Sequence, residues 1–155
     1  MSENDKEARA CAERPEARQF DFWVGEWALT WGADEQGSNA ITRLWDGCVI
    51  QEQFDGAPAM AGYKGMSVST YDAALGKWRQ TWVDSEGSYI DLTGAFANGE
   101  MVVFSQRIID GSEVLFKMRF YNIGENSLDW SWERSDDQGK SWDPRWQIHY
   151  QRKGT

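Results

Sequence analysis

The sequence has one histidine, two cysteines and three prolines in 155 residues, and no apolar run of membrane-spanning length. Each shortage removes a class of function. His149 with the two distant cysteines, Cys11 and Cys48, does not make a zinc ligand set. A Ser-His-Asp triad would depend on His149 as its only base. Neither standard glycine-rich phosphate loop is present. No segment is apolar enough for a spanning helix, and the opening "MSENDKEARACAERPEARQ" is polar throughout, without the apolar stretch of a signal peptide. The expected location is therefore the cytoplasm, with Cys11 and Cys48 as reduced thiols rather than a disulfide. Positive charge is also scarce. Sixteen Lys and Arg stand against 25 Asp and Glu, a net charge of −9, with no basic cluster to offset it. Such a field repels phosphate backbones and anionic lipid, so no nucleic-acid or membrane partner is expected.

Large aromatics and turn residues are abundant instead. Ten tryptophans sit in a chain that is only 41 % hydrophobic, which calls for a wide core or a lined cavity. Residues 1–14 read as a flexible tail and 15–155 as a single domain. Pro15 can open a short helix over "PEARQFDFW". Beyond it, runs of alternating polarity are separated by turn chemistry, most clearly Asn98-Gly99 and Asp110-Gly111. Strands are expected near 25–32, 38–46, 48–55, 62–71, 77–85, 88–97, 100–109, 112–122, 127–135 and 141–152. Ten strands with short links and no crossover helix predict an all-β protein. It would be a closed antiparallel up-and-down barrel, with the short N-terminal helix closing one end. "SDDQGKSW" has the S-x-D-x-G-x-[ST]-W spacing of a hairpin-stabilising turn, and Ser135, Asp137, Gly139 and Trp142 are read as scaffold.

Gly25-Glu26-Trp27 after a short helix, at the start of an all-β chain, resembles the calycin superfamily of lipocalins and fatty-acid-binding proteins. With "GCVIQEQF", "GMSVSTYD", "KWRQTWVD", "MRFYN" and "SWERSDDQGKSW" in that order, residues 15–152 look like an uncharacterised bacterial lipocalin-like family. The resemblance implies that Trp27 plugs one barrel end and that Arg152, from the last strand, lies across its indole. It implies no settled activity.

Strand alternation sorts the interior. Trp78, Gln80, Trp82 and Asp84 share one face, and Cys48, Ile50, Glu52 and Phe54 another, so Glu52, Gln80 and Asp84 point inward. A buried carboxylate must be paired, hydrogen-bonded or protonated. In "VLFKMRFYN", alternation turns Phe116, Met118 and Phe120 inward and Arg119 outward. The resemblance suggests the opposite, with Arg119 and Tyr121 inside, and that placement is adopted for the site. Ser67, Ser69 and Tyr71 are taken inward as well. The candidate ligand set is Glu52, Ser67, Tyr71, Gln80, Trp82, Asp84, Arg119, Tyr121, Trp132 and Tyr150. With Arg119 as a bidentate anchor, it suits a small amphiphilic or aromatic molecule bearing a polar or carboxylate group.

Three functions compete. The first is non-catalytic binding of such a molecule, with no cofactor. The second is a cofactor-free isomerase, cyclase or decarboxylase, with Glu52 as general acid or base, Arg119 binding a carboxylate and Tyr121 stabilising an anion. The third is haem binding, as in nitrobindins, which hold haem through a late-strand histidine. Against it, His149 opposes the face of Trp146, Ile148, Tyr150 and Arg152, and so points to solvent. A barrel simply filled by its own side chains would do none of these.

Overall fold

A computed structural model describes residues 11–154. The expected tail, 1–14, lies outside the described residues over 1–10. Ten strands follow: β1 (Gly25–Trp31), β2 (Glu35–Leu44), β3 (Val49–Asp55), β4 (Lys64–Asp72), β5 (Lys77–Asp84), β6 (Tyr89–Ala97), β7 (Glu100–Ile109), β8 (Ser112–Tyr121), β9 (Ser127–Ser135) and β10 (Asp143–Arg152). Each pairs antiparallel with its chain neighbours, and β1 pairs with β10 to close the barrel. Closure leaves no strand edge for another chain to extend. Among the described residues, no helix is long and apolar enough to cross a membrane.

The hairpin turns show why local sequence specifies this topology. Asn98-Gly99 and Asp110-Gly111 all have positive φ, the backbone that matches the right-handed twist of the paired strands. Odd-numbered strands run from the N-terminal end of the barrel to the other, and even-numbered strands return.

The N-terminal end is sealed by aromatic rings. The expected helix is two 3₁₀ turns, Pro15–Arg18 and Asp21–Trp23. The break between them lets both Phe20 and Trp23 face the barrel. Their ring centroids lie 4.9 Å apart, and Phe20 meets Trp78 and Phe120 edge-on at 5.3 and 5.1 Å. Trp27 lies just inside, fully buried, and its Nε1 donates to the Trp23 carbonyl at 2.8 Å. The Arg152 guanidinium covers that indole at 4.2 Å and donates to the carbonyls of Val24, Phe22 and Glu125. It fixes the entering chain to the last strand. Gly25 has φ +136°, and a Cβ there would collide with the Arg152 guanidinium. Glycine two residues before the tryptophan is thus a requirement of the stack.

The cysteines correct the sequence expectation: Cys11 and Cys48 form a disulfide, with Cα atoms 5.8 Å apart. The disulfide and the bond from Arg18 Nη2 to the Gly47 carbonyl, 3.0 Å long, tie residues 11–18 to the 45–48 turn. A separation of 37 residues gave no hint of it. Denatured, unreduced protein is expected to titrate no thiols, and two after reductant. Two thiols at the outset would refute the pairing.

Candidate functional site

The opposite end of the barrel is not filled. A cavity of about 210 Å³ opens there, among side chains from β3, β5, β6, β8, β9, β10 and the loops that follow β3 and β5. That volume is smaller than the roughly 300–1,000 Å³ of drug-sized pockets and equals the bulk volume of about seven waters. Its wall is aromatic. Trp132 stacks on Phe116 with centroids 5.1 Å apart and planes 11° apart. Trp146 is braced edge-on by Trp31 at 5.3 Å and by Trp130 at 5.7 Å. Phe54 packs against Tyr63, Trp82 and Trp146. Leu92, Met118 and Ile148 fill the spaces between.

Glu52 and Tyr150 form the floor, above Trp27, whose ring meets Tyr150 edge-on at 5.7 Å. The Glu52 side chain comes from the middle of β3, and the residue is only 5 % exposed. Ser67 Oγ donates to one carboxylate oxygen at 2.7 Å and Asn39 Nδ2 to the other at 2.6 Å. The second amide hydrogen of Asn39 goes to the Tyr150 hydroxyl at 2.9 Å. Burial raises the Glu52 pKa to about 7, against the pull of the two donors. Burial, with the Glu52 carboxylate next, also pushes the Tyr150 phenol above its ordinary range. Among the described residues no cation neutralises this layer; side chains from four strands, β2, β3, β4 and β10, hold it by hydrogen bonds.

Asp84, at the end of β5, organises the mouth. Its Oδ2 accepts from Trp82 Nε1 and Tyr63 OH, both at 3.0 Å. Its Oδ1 accepts from the backbone amides of Glu86 and Ser88, also at 3.0 Å. Burial alone would raise its pKa, but the donors outweigh burial and hold the carboxyl down to about 2. Asp84 is thus ionised and already saturated. It sets the rings of Trp82 and Tyr63 and ties down the β5–β6 loop. In Asp84→Ala, the Glu86 and Ser88 amides are expected to exchange hydrogen roughly tenfold faster, as for loss of a charge-assisted bond worth about 1.5 kcal/mol. Unchanged exchange would contradict this role.

Of the residues singled out in the sequence, Glu52, Trp82, Asp84, Trp132 and Tyr150 line the cavity. Ser67 and Gln80 are buried inside the barrel behind it, with Ser67 on Glu52 and Gln80 Nε2 on Ser69 at 2.9 Å. Tyr71 faces inward but at the sealed end, edge-on to Trp78 at 6.0 Å. Arg119 and Tyr121 correct the adopted reading. They stand on the outer face, where Arg119 pairs bidentately with Glu100 and lies 4.0 Å over the Tyr121 ring. Phe116, Met118 and Phe120 take the inner face of β8, as alternation alone required. His149 is on the outer face of β10, with Nδ1 2.8 Å from Asp129. The 135–142 hairpin is a turn scaffold: Asp137 accepts from Ser135 and Ser141, and Gly139 N–H donates to Ser135 Oγ.

Tyr63, Glu86 and Ser88 have no signal in the sequence: β4 and β6 begin at Lys64 and Tyr89, one or two residues later than the expected 62–71 and 88–97, so all three lie in loops, where a period of two has no meaning. Trp146 was placed on an inward face but not assigned to the site. Asn39 had no signal beyond its place in an alternating strand. Comparison with known proteins finds no matching family model and no similar curated sequence, so the fold and the cavity alone carry the functional argument.

Proposed function

We propose that this barrel binds a small aromatic or amphiphilic molecule in the cavity at its open end, without catalysing a reaction on it. The supporting observation is the contrast between the two ends of one barrel. One is packed solid by Phe20, Trp23, Trp27, Trp78 and Phe120. The other leaves about 210 Å³ open between braced indole rings. Close packing is the rule for protein interiors, so a retained, aromatic-walled void calls for an occupant. We place the chain with the lipocalin-like barrels on the same grounds: the Gly25-Glu26-Trp27 opening, the Arg152 cover and the closed ten-stranded meander support that kinship.

The other readings lack their parts. An enzyme of the kind considered above needs Arg119 and Tyr121 beside Glu52, and the barrel wall separates them from it. Haem ligation needs an inward histidine, and His149 is outside. A panel of small aromatics, read by tryptophan fluorescence and thermal shift, tests the binding reading. A cognate compound at about 100 times its Kd contributes about 2.7 kcal/mol and should raise Tm by about 5 °C or more. The same compound should have no effect on Leu92→Trp, which fills the cavity from β6. An equal shift in that variant would place the binding elsewhere.

A further inference from the structure

The binding reading leaves the charge of the occupant open, and the cavity's own chemistry speaks to it. Three carboxylates line the cavity, Glu52 at the floor with Asp84 and Glu86 at the mouth. None of the described lining residues is Lys, Arg or His. Arg119, the cation expected from the sequence to anchor an anionic ligand, is on the outer face of β8 and paired with Glu100. Much of the remaining wall is aromatic, from Phe54, Tyr63, Trp82, Trp130, Trp132 and Trp146 beside aliphatic side chains, and aromatic quadrupoles attract cations, tryptophan most strongly. An anionic ligand would meet the ionised Asp84 on entry and find no compensating cation among the described lining side chains. A neutral one would leave Glu52 as a buried acid with nothing to do. Glu52 has one donor on each oxygen, from Ser67 and Asn39, and each carboxylate oxygen can accept at least one more hydrogen bond.

We infer that the cavity selects a small aromatic cation, an arylalkylammonium whose ring lies among Trp82, Trp132 and Trp146 and whose ammonium bonds the Glu52 carboxylate. This rests on the binding reading above and specifies the class of ligand for that same site.

The proton balance follows. In the empty cavity, Glu52 holds a proton up to about pH 7. A bound ammonium keeps its own protons and favours the Glu52 carboxylate, so below that pH Glu52 releases one proton to solvent as the cation binds. Affinity for the cation therefore rises with pH, by about tenfold between pH 6 and pH 8. The other groups around Glu52 do not titrate in that window. Ser67 from β4 and Asn39 from β2 carry no titrating proton. The Tyr150 phenol from β10 and the Tyr63 phenol at the mouth are both raised, and Asp84 is ionised throughout.

The test compares three probes of one shape by isothermal titration: phenethylammonium, its uncharged analogue propylbenzene, and the anion 3-phenylpropionate. Phenethylammonium is expected to bind at least about tenfold tighter than propylbenzene at pH 8, a difference of about 1.4 kcal/mol, and 3-phenylpropionate more weakly than either. Binding at pH 6 should release a proton, seen as a heat that depends on the buffer. Glu52→Gln should bring the cation's affinity down to that of propylbenzene for the same variant and abolish its pH dependence. If propylbenzene or 3-phenylpropionate binds as well as the cation, the charge assignment is overturned and the binding reading stands. If none of the three binds, both are overturned.

Discussion

Trp27→Ala is expected to be the most damaging single substitution in the chain. The indole is fully buried, its Nε1 satisfies the Trp23 carbonyl, and Arg152 covers its face. Truncation removes the burial, leaves a cavity against Tyr150 and strips the Arg152 guanidinium of its platform. Tryptophan-to-alanine changes in cores cost about 3–5 kcal/mol, out of a typical total of about 5–15. At about 2–4 °C per kcal/mol, Tm should fall by about 10 °C. A double-mutant cycle with Arg152→Ala should recover about 1 kcal/mol of coupling for the stacked pair. Arg152→Lys should be nearly as harmful as Arg152→Ala, because an ammonium cannot reach three carbonyls and cover a ring at once. A loss below about 1 kcal/mol in Trp27→Ala would show that the sealed end does not anchor the fold.

Glu52→Gln is expected to stabilise the empty protein, by an amount that grows from near zero at about pH 4.5 to its full size above about pH 7. Burial raises the Glu52 pKa from 4.5 to about 7, so the folded chain binds this proton more tightly than the unfolded one. Its contribution to stability is fully present below about pH 4.5 and is lost as pH rises through about 7. At ~1.36 kcal/mol for each pH unit between the two values, the loss is about 3 kcal/mol. Glutamine has nearly the same shape and carries no charge, so the variant's stability should be flat over that range. It should exceed the parent by about 3 kcal/mol at pH 8 and match it below about pH 4.5. Asp84 and Asp137 act in the opposite sense, being held down to about 2, but their contribution is lost only at acid pH, below this window. Chemical denaturation of both proteins from pH 5 to pH 9 separates the effects. A variant less stable than the parent at pH 8 would show that the charged form is favoured in the fold.

The two predictions describe one trade. The protein gives up stability at the floor of its open end by keeping an acid where an amide would be cheaper, and recovers it at the sealed end through aromatic packing. A functional site is where such a local conflict is expected.

Most of the fold was legible because its signals are local. Asn98-Gly99 and Asp110-Gly111 mark hairpins by the φ angles they tolerate, and alternation in "KWRQTWVD" and "CVIQEQF" placed Trp82, Gln80 and Glu52 on the correct face. The failures have separate causes. Arg119 and Tyr121 were set inward against the alternation of Phe116, Met118 and Phe120, and burial of three large apolar side chains decided the matter. Ser67 and Ser69 are not among them: taken inward from the sequence, both are buried, with Glu52 and Gln80 opposite as their partners. Tyr63, just before β4, is held by Asp84 at the end of the neighbouring β5, a contact between residues 21 apart that no short window of sequence contains. The Cys11–Cys48 pairing is likewise a contact between residues 37 apart, held together by the docking of Arg18 on Gly47.

The central claim is that the open end of the barrel is a ligand site for an aromatic cation. A crystal of the protein soaked with 4-bromophenethylammonium tests it most directly, because the bromine marks its own position. The expected result is one anomalous peak inside the barrel among Trp82, Trp132 and Trp146, with the ammonium directed at Glu52. A cavity left unoccupied at saturating probe, or a peak confined to the outer surface, would contradict it.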